Sequence, residues 1–235
     1  MKKIIFLFCL TIFAFAGLYP QSTSEFKMVP GKMASPSKNK QASINYNRGI
    51  DFLKNNELES AEKCFIKALE LDPAFVDAMD HLGVVYRRQN RIDDAIQMYQ
   101  KSISIKPDNY VPYNNLALVY MLLGKYEDAR LTYLKVIDFD KENPEPYYGI
   151  GQLYYKAGMF NDSIEYMQVA LSKYYQQKSI YMYDAAVNLA YAFYNIEDYE
   201  ESLKYLKFAY QYYKDDKKIE EMISSLEALI KEKKE

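Results

Sequence analysis

The feature that most constrains this chain is a period of 34 residues. Written in rows from Ala42, the sequence matches itself, with rows starting at Ala42, Val76, Tyr110 and Pro144, and at Tyr183 after five additional residues. Self-similarity at this spacing predicts a stack of small units, each too small to bury its apolar face alone. Position eight of the rows reads Gly49, Gly83, Ala117, Gly151 and Ala190, and position eleven reads Phe52, Tyr86, Tyr120, Tyr154 and Phe193. Position twenty reads Ala61, Ala95, Ala129, Ser163 and Ser202. Small residues mark places where two helices approach closely, and rings mark the space that must be filled beside them. Much of the tyrosine, 25 residues in a chain without tryptophan, belongs to such positions.

The same rows specify the turns. Position fifteen is Asn56, Asn90, Gly124, Gly158 and Glu197, so four of five rows offer a residue that tolerates the left-handed backbone at the end of a helix. Two residues later Leu58, Ile92, Tyr126, Phe160 and Tyr199 restart the apolar pattern. Each row therefore predicts a helix, a tight turn and a second helix. Pro73 and Pro107 stop the second helix of the first two rows, because the residue before a proline is pushed out of helical geometry. In the third row Lys141 takes the proline's place, with Pro144 and Pro146 slightly later.

These positions, with Phe65, Tyr99, Tyr133, Met167 and Leu206 at position twenty-four, resemble the tetratricopeptide repeat family over residues 42–216. The resemblance implies an all-α, right-handed α-solenoid of five helix-turn-helix repeats, 42–75, 76–109, 110–143, 144–182 and 183–216. Residues 217–235 carry Ile219, Met222, Ile223, Leu226, Leu229 and Ile230 on one helical face, which predicts a helix capping the last repeat. Self-association through that helix is the alternative.

The start of the chain reads differently. Lys2 and Lys3 precede an apolar run from Ile4 to Leu18, and Ala14-Phe15-Ala16 fits a small-residue cleavage pattern, so residues 1–16 resemble a secretory signal peptide. The run is shorter than the roughly 20 residues of a spanning helix, so a retained membrane anchor is the weaker reading. Residues 17–41, rich in Ser, Pro, Lys and Gln, predict a disordered linker. These readings place the protein outside the cytoplasm, in the periplasm or cell envelope, or secreted. After cleavage Cys64 is the only cysteine, which excludes an internal disulfide framework.

Residues 42–235 hold 24 basic and 31 acidic side chains, a net of −7 without a basic stripe, which argues against nucleic acid. His81 is the sole histidine, and neither it nor Cys64 sits in a metal or nucleophile spacing. The sequence therefore offers no catalytic residue, cofactor or metal motif, or small-molecule substrate. The reading is a non-catalytic scaffold for a protein or peptide, with a membrane partner only if the N-terminal segment is retained. The oligomeric state is left open.

In the resembled family the first helices line a concave surface, and positions two, five, six, nine, twelve and thirteen correspond to its groove. Position six holds Asn47, His81, Asn115, Gly149 and Asn188. A carboxamide carries donors and an acceptor, so stacked asparagines would form a ladder pairing with peptide backbone. The other candidates are Tyr46, Arg87, Asn114, Leu118, Tyr148, Gln152, Tyr155, Tyr191 and Tyr194, joined by Ile50, Leu53, Lys54, Val84, Arg88, Met121 and Asn195. Tyr46 and Ile50 replace the Lys and Asn of the family's clamp for C-terminal carboxylates, which disfavours that ligand.

Overall fold

The computed structural model describes residues 37–235, which form one compact unit. The signal-like segment and residues 17–36 of the linker lie outside the described residues. Eleven helices follow one another, with no strand among the described residues. Repeat one is α1 (Lys40–Lys54) and α2 (Leu58–Leu71), repeat two α3 (Val76–Arg88) and α4 (Ile92–Ile105), and repeat three α5 (Tyr110–Leu122) and α6 (Tyr126–Phe139). Repeat four is α7 (Pro144–Lys156) and α8 (Phe160–Gln176), repeat five α9 (Tyr181–Asn195) and α10 (Tyr199–Tyr210), and α11 (Lys217–Lys234) follows. None of these helices is long and apolar enough to cross a membrane.

The linker is shorter than the sequence suggests. Helix α1 begins at Lys40, Asn39 accepts from the backbone N–H groups of Gln41 and Ala42, and the Asn39 amide donates to the Leu71 carbonyl. Residues 37–41 thus belong to the first repeat, because a helix needs its cap and the cap is tied to α2. Asn109 and Asn143 cap α5 and α7 in the same way.

Position fifteen adopts a positive φ in all five rows: 60° at Asn56, 62° at Asn90, 70° at Gly124, 74° at Gly158 and 62° at Glu197. The next residue returns its N–H to the carbonyl of position eleven, as in Glu57 to Phe52 at 2.9 Å and Asp198 to Phe193 at 3.0 Å. This Schellman closure satisfies the last carbonyls of the first helix and fixes the entry of the second. Three of the five additional residues before Tyr183 extend α8, which runs 17 residues where α2, α4 and α6 run 14, and Lys178 at φ 53° follows its end.

Within a repeat, position eight meets position twenty-four. A Cβ on Gly49 would stand 2.7 Å from the Phe65 ring, and one on Gly83 2.4 Å from Tyr99, so each glycine is the recess that the ring fills. In repeats four and five position twenty is serine, and the Ser163 and Ser202 hydroxyls donate to the Gly151 and Ala190 carbonyls, both at 2.8 Å. Ile219 and Leu226 of α11 join Ala186, Val187, Leu206 and Ala209 in a common apolar cluster, so α11 covers the end of repeat five. Each first helix touches the first helix of the next repeat, whereas no second helix touches the next second helix. The stack therefore curves with α1, α3, α5, α7 and α9 on its inner side.

Candidate functional site

The inner helices present one strip of side chains at positions nine, twelve and thirteen. Leu118, Gln152, Tyr155, Tyr191 and Tyr194 are half-buried, and Leu122 is 55% exposed. Helix α5 (YVPYNNLALVYML) is apolar on every side, which a helix wholly covered by its neighbours would explain; Leu122 is not covered. Lys54, Lys156 and Asn195 are exposed at the C-terminal ends of these helices, with Arg87 and Arg88 half-buried beside them. The Asn195 amide donates to the Tyr155 hydroxyl at 3.1 Å, and the Tyr191 hydroxyl donates to the Met222 sulfur at 3.4 Å. Those tyrosines are thus held in place by neighbouring repeats and by α11.

The asparagine ladder does not form. Asn47 is exposed, Asn115 is 7% exposed, and row four has Gly149 at this position. The Asn188 amide is committed to the Tyr148 hydroxyl at 2.7 Å and to the Asp184 carbonyl at 2.9 Å. His81 Nδ1 donates to the Asp77 carbonyl at 2.8 Å, and its ring lies 5.6 Å from Phe65. A Cβ at Gly149 would stand 2.4 Å from the Tyr133 ring of the preceding repeat. Position six is therefore a joint between repeats, occupied by whatever fits the preceding ring. Rows laid side by side show which residues share a face, but not that the face is closed by the neighbouring unit.

Five further candidates are likewise buried in the packing. Tyr46 is 6% exposed and packs against Phe75 at 4.9 Å and edge-on to His81 at 5.3 Å. Tyr148 is 4% exposed and lies edge-on to Tyr174 at 6.2 Å. Leu53, Val84 and Met121 are buried as well, while Ile50 and Asn114 are half-buried.

The sequence reading missed the acidic edge. At positions two and five the first turns of the inner helices place Asp77, Asp80, Glu145 and Asp184. Asp80 is 2% exposed, and its Oδ2 accepts from the Asn109 amide at 3.2 Å. Burial pushes the Asp80 carboxyl up to about 7, with Ser102 and Asn109 opposing and Asp77 adding to the rise. Glu145 is 7% exposed and accepts from the Tyr174 hydroxyl at 2.8 Å; burial pushes it to about 7 as well. Asp184 accepts from the Tyr213 hydroxyl at 2.6 Å, and burial raises its carboxyl too. Burial moves His81 the other way, to about 4. Acid at position two in three rows was the available signal; acids in a first turn usually reflect the helix dipole, which hid it.

Comparison with known proteins agrees with this architecture. The TPR repeat model matches residues 83–124 and 119–158, and the tetratricopeptide repeat model matches residues 42–75. No curated protein sequence matches the chain significantly. Among solved structures, the Cut9–Hcn1 hetero-tetramer of the APC/C superposes with a TM-score of 0.69 at 19% identity, over 79% of this chain and 36% of that one. A thermophilic TPR protein of Thermus thermophilus gives 0.65 at 15% identity, covering 79% of this chain and 98% of that chain. Pseudomonas aeruginosa pilF gives 0.65 at 18% identity, over 82% and 91%. At these identities the likeness is one of fold. The chain belongs to the tetratricopeptide repeat family, and its repeats form a protein–protein interaction scaffold.

Proposed function

We propose that the protein is a non-catalytic, exported scaffold whose concave face holds an extended segment of a partner protein, in the periplasm or cell envelope. The observation that carries this reading is the strip on the inner helices, centred on the uncovered Leu122 and flanked by Leu118, Tyr155, Tyr191 and Tyr194. Partly exposed tyrosines held by neighbours are suited to anchoring a partner, since little side-chain freedom is lost on binding. Export rests on the signal-like N-terminal sequence alone. A photo-crosslinking residue at position 122 in the native cell is expected to capture a partner that one at position 131, on outer helix α6, does not. Capture at 131 alone would overturn the groove reading. A mature N-terminus at Gly17 is expected, and an intact N-terminus in the membrane fraction would favour an anchored adaptor instead. The burial of Ile219 and Leu226 on repeat five leaves self-association through α11 without a comparable apolar face.

A further inference from the structure

The acidic edge of the groove has features that packing alone does not explain. Glu145 and Asp184 occupy the same place in successive repeats, in the first turns of α7 and α9. Rings surround them: Tyr148 and Tyr174 have centroids 6.2 Å apart, Tyr174 and Tyr181 6.0 Å, and the Asn188 amide ties Tyr148 to the α9 backbone at Asp184. Glu145 also acts electrostatically on Tyr110 and Tyr133. Each carboxylate receives a tyrosine hydroxyl, but a carboxylate has about four acceptor positions.

Among the described residues, no lysine or arginine stands among the groups that shift either carboxyl. Buried carboxylates are ordinarily paired with a cation. A glutamine at 145 would keep the Tyr174 hydrogen bond without the cost of burying charge, so stability alone does not account for glutamate. Two repeats away the edge shows the same deficit. Asp80 is buried with hydrogen-bonding neighbours Asn109 and Ser102, and among the described residues no lysine or arginine is one of the groups that shift its carboxyl. Asp77 stands beside it. The cations of the groove, Lys54, Arg87, Arg88 and Lys156, sit at the opposite, C-terminal ends of the inner helices.

We propose that the tyrosine-walled edge formed by α7 and α9 recognises basic side chains on the partner segment, through Glu145 and Asp184. This rests on the groove reading above. Ammonium and guanidinium groups are the complement of uncompensated carboxylates, and tyrosine faces attract them further. Packed helices stand about 8–10 Å apart, and an extended chain rises about 3.3 Å per residue, so the two acids match cations roughly three residues apart.

The test uses the full mature chain and capped peptides repeating Lys-Ala-Ser, Gln-Ala-Ser or Glu-Ala-Ser, titrated calorimetrically at low ionic strength. The Lys peptide is expected to bind, and the Glu145→Gln/Asp184→Asn variant to weaken it roughly tenfold. A Glu220→Gln/Glu232→Gln variant, with the same charge change on the outer face of α11, is expected to bind as the parent does. Equal weakening in both variants would reduce the effect to the protein's general negative field and overturn the proposal. Equal binding of the Gln peptide would overturn it too. Should Glu145→Gln/Asp184→Asn lose helicity, Asp184→Asn alone is read, with roughly threefold weakening expected and none overturning the proposal. Failure of the Lys peptide with capture retained at position 122 removes the basic preference alone. Failure of both removes the groove reading as well.

Discussion

The joint between repeats one and two and the joint between repeats four and five use the same two positions with different chemistry. In the first, the Tyr46 hydroxyl meets His81 Nδ1 at 3.3 Å beside the Phe65 ring. In the second, the Tyr148 hydroxyl receives the Asn188 amide at 2.7 Å. Between repeats three and four the position is Gly149, and the Tyr133 ring occupies the space itself. The position thus specifies a volume to be filled and a hydroxyl to be met, and the residue follows from the size of the preceding ring.

The sharpest way to break that comparison is Gly149→Asn, which would complete an asparagine ladder if one existed. Against the Tyr133 ring it is expected to cost about 3 kcal/mol or more, read as a lowered denaturant midpoint; stability close to the parent's would restore the ladder. Asn188→Ala removes the side-chain donor to the Tyr148 hydroxyl and the Asp184 carbonyl, with an expected loss of about 1–2 kcal/mol. His81→Asn transplants the fourth joint's residue into the first and is expected to be milder than His81→Ala, by roughly 1 kcal/mol in chemical denaturation.

Titration separates the buried histidine from the buried carboxyls. Burial lowers His81 to about 4, so the folded state binds fewer protons than the unfolded state, and stability is lost as pH falls from about 6.5 towards 4. Asp80 and Glu145 are raised to about 7, so the folded state binds more protons, and stability falls as pH rises from about 4 through 7. The two trends oppose each other below about 6.5, leaving the carboxyl trend visible near neutrality. Glu145→Gln is expected to reduce the fall of the thermal midpoint between about pH 6.5 and 7.5, with Asp80 carrying the remainder, and His81→Asn to leave that range unchanged. The smallest expected effect is at the turn of repeat five. Glu197→Gly relieves a left-handed non-glycine residue at φ 62° and should stabilise by about 1 kcal/mol in equilibrium unfolding, the exposed Lys233 pair it removes contributing little.

The sequence by itself determined the repeat, the turns and the order of helices. A left-handed residue, a small residue and a ring at fixed spacing each answer to a local or adjacent constraint that recurs with the period. Gly83 and Tyr99, sixteen residues apart within one repeat, are legible in this way. The tertiary structure alone decided which inward-facing residues remain accessible. Tyr46 and Tyr155 occupy positions of the same inner face, yet one is sealed by the next repeat and the other lines the strip. Glu145 accepts from Tyr174 and acts electrostatically on Tyr110, Tyr133 and Tyr181, which lie on helices of repeats three and five. Exposure and charge environment arise where separate units meet, and a row read by itself carries the residue without its neighbours.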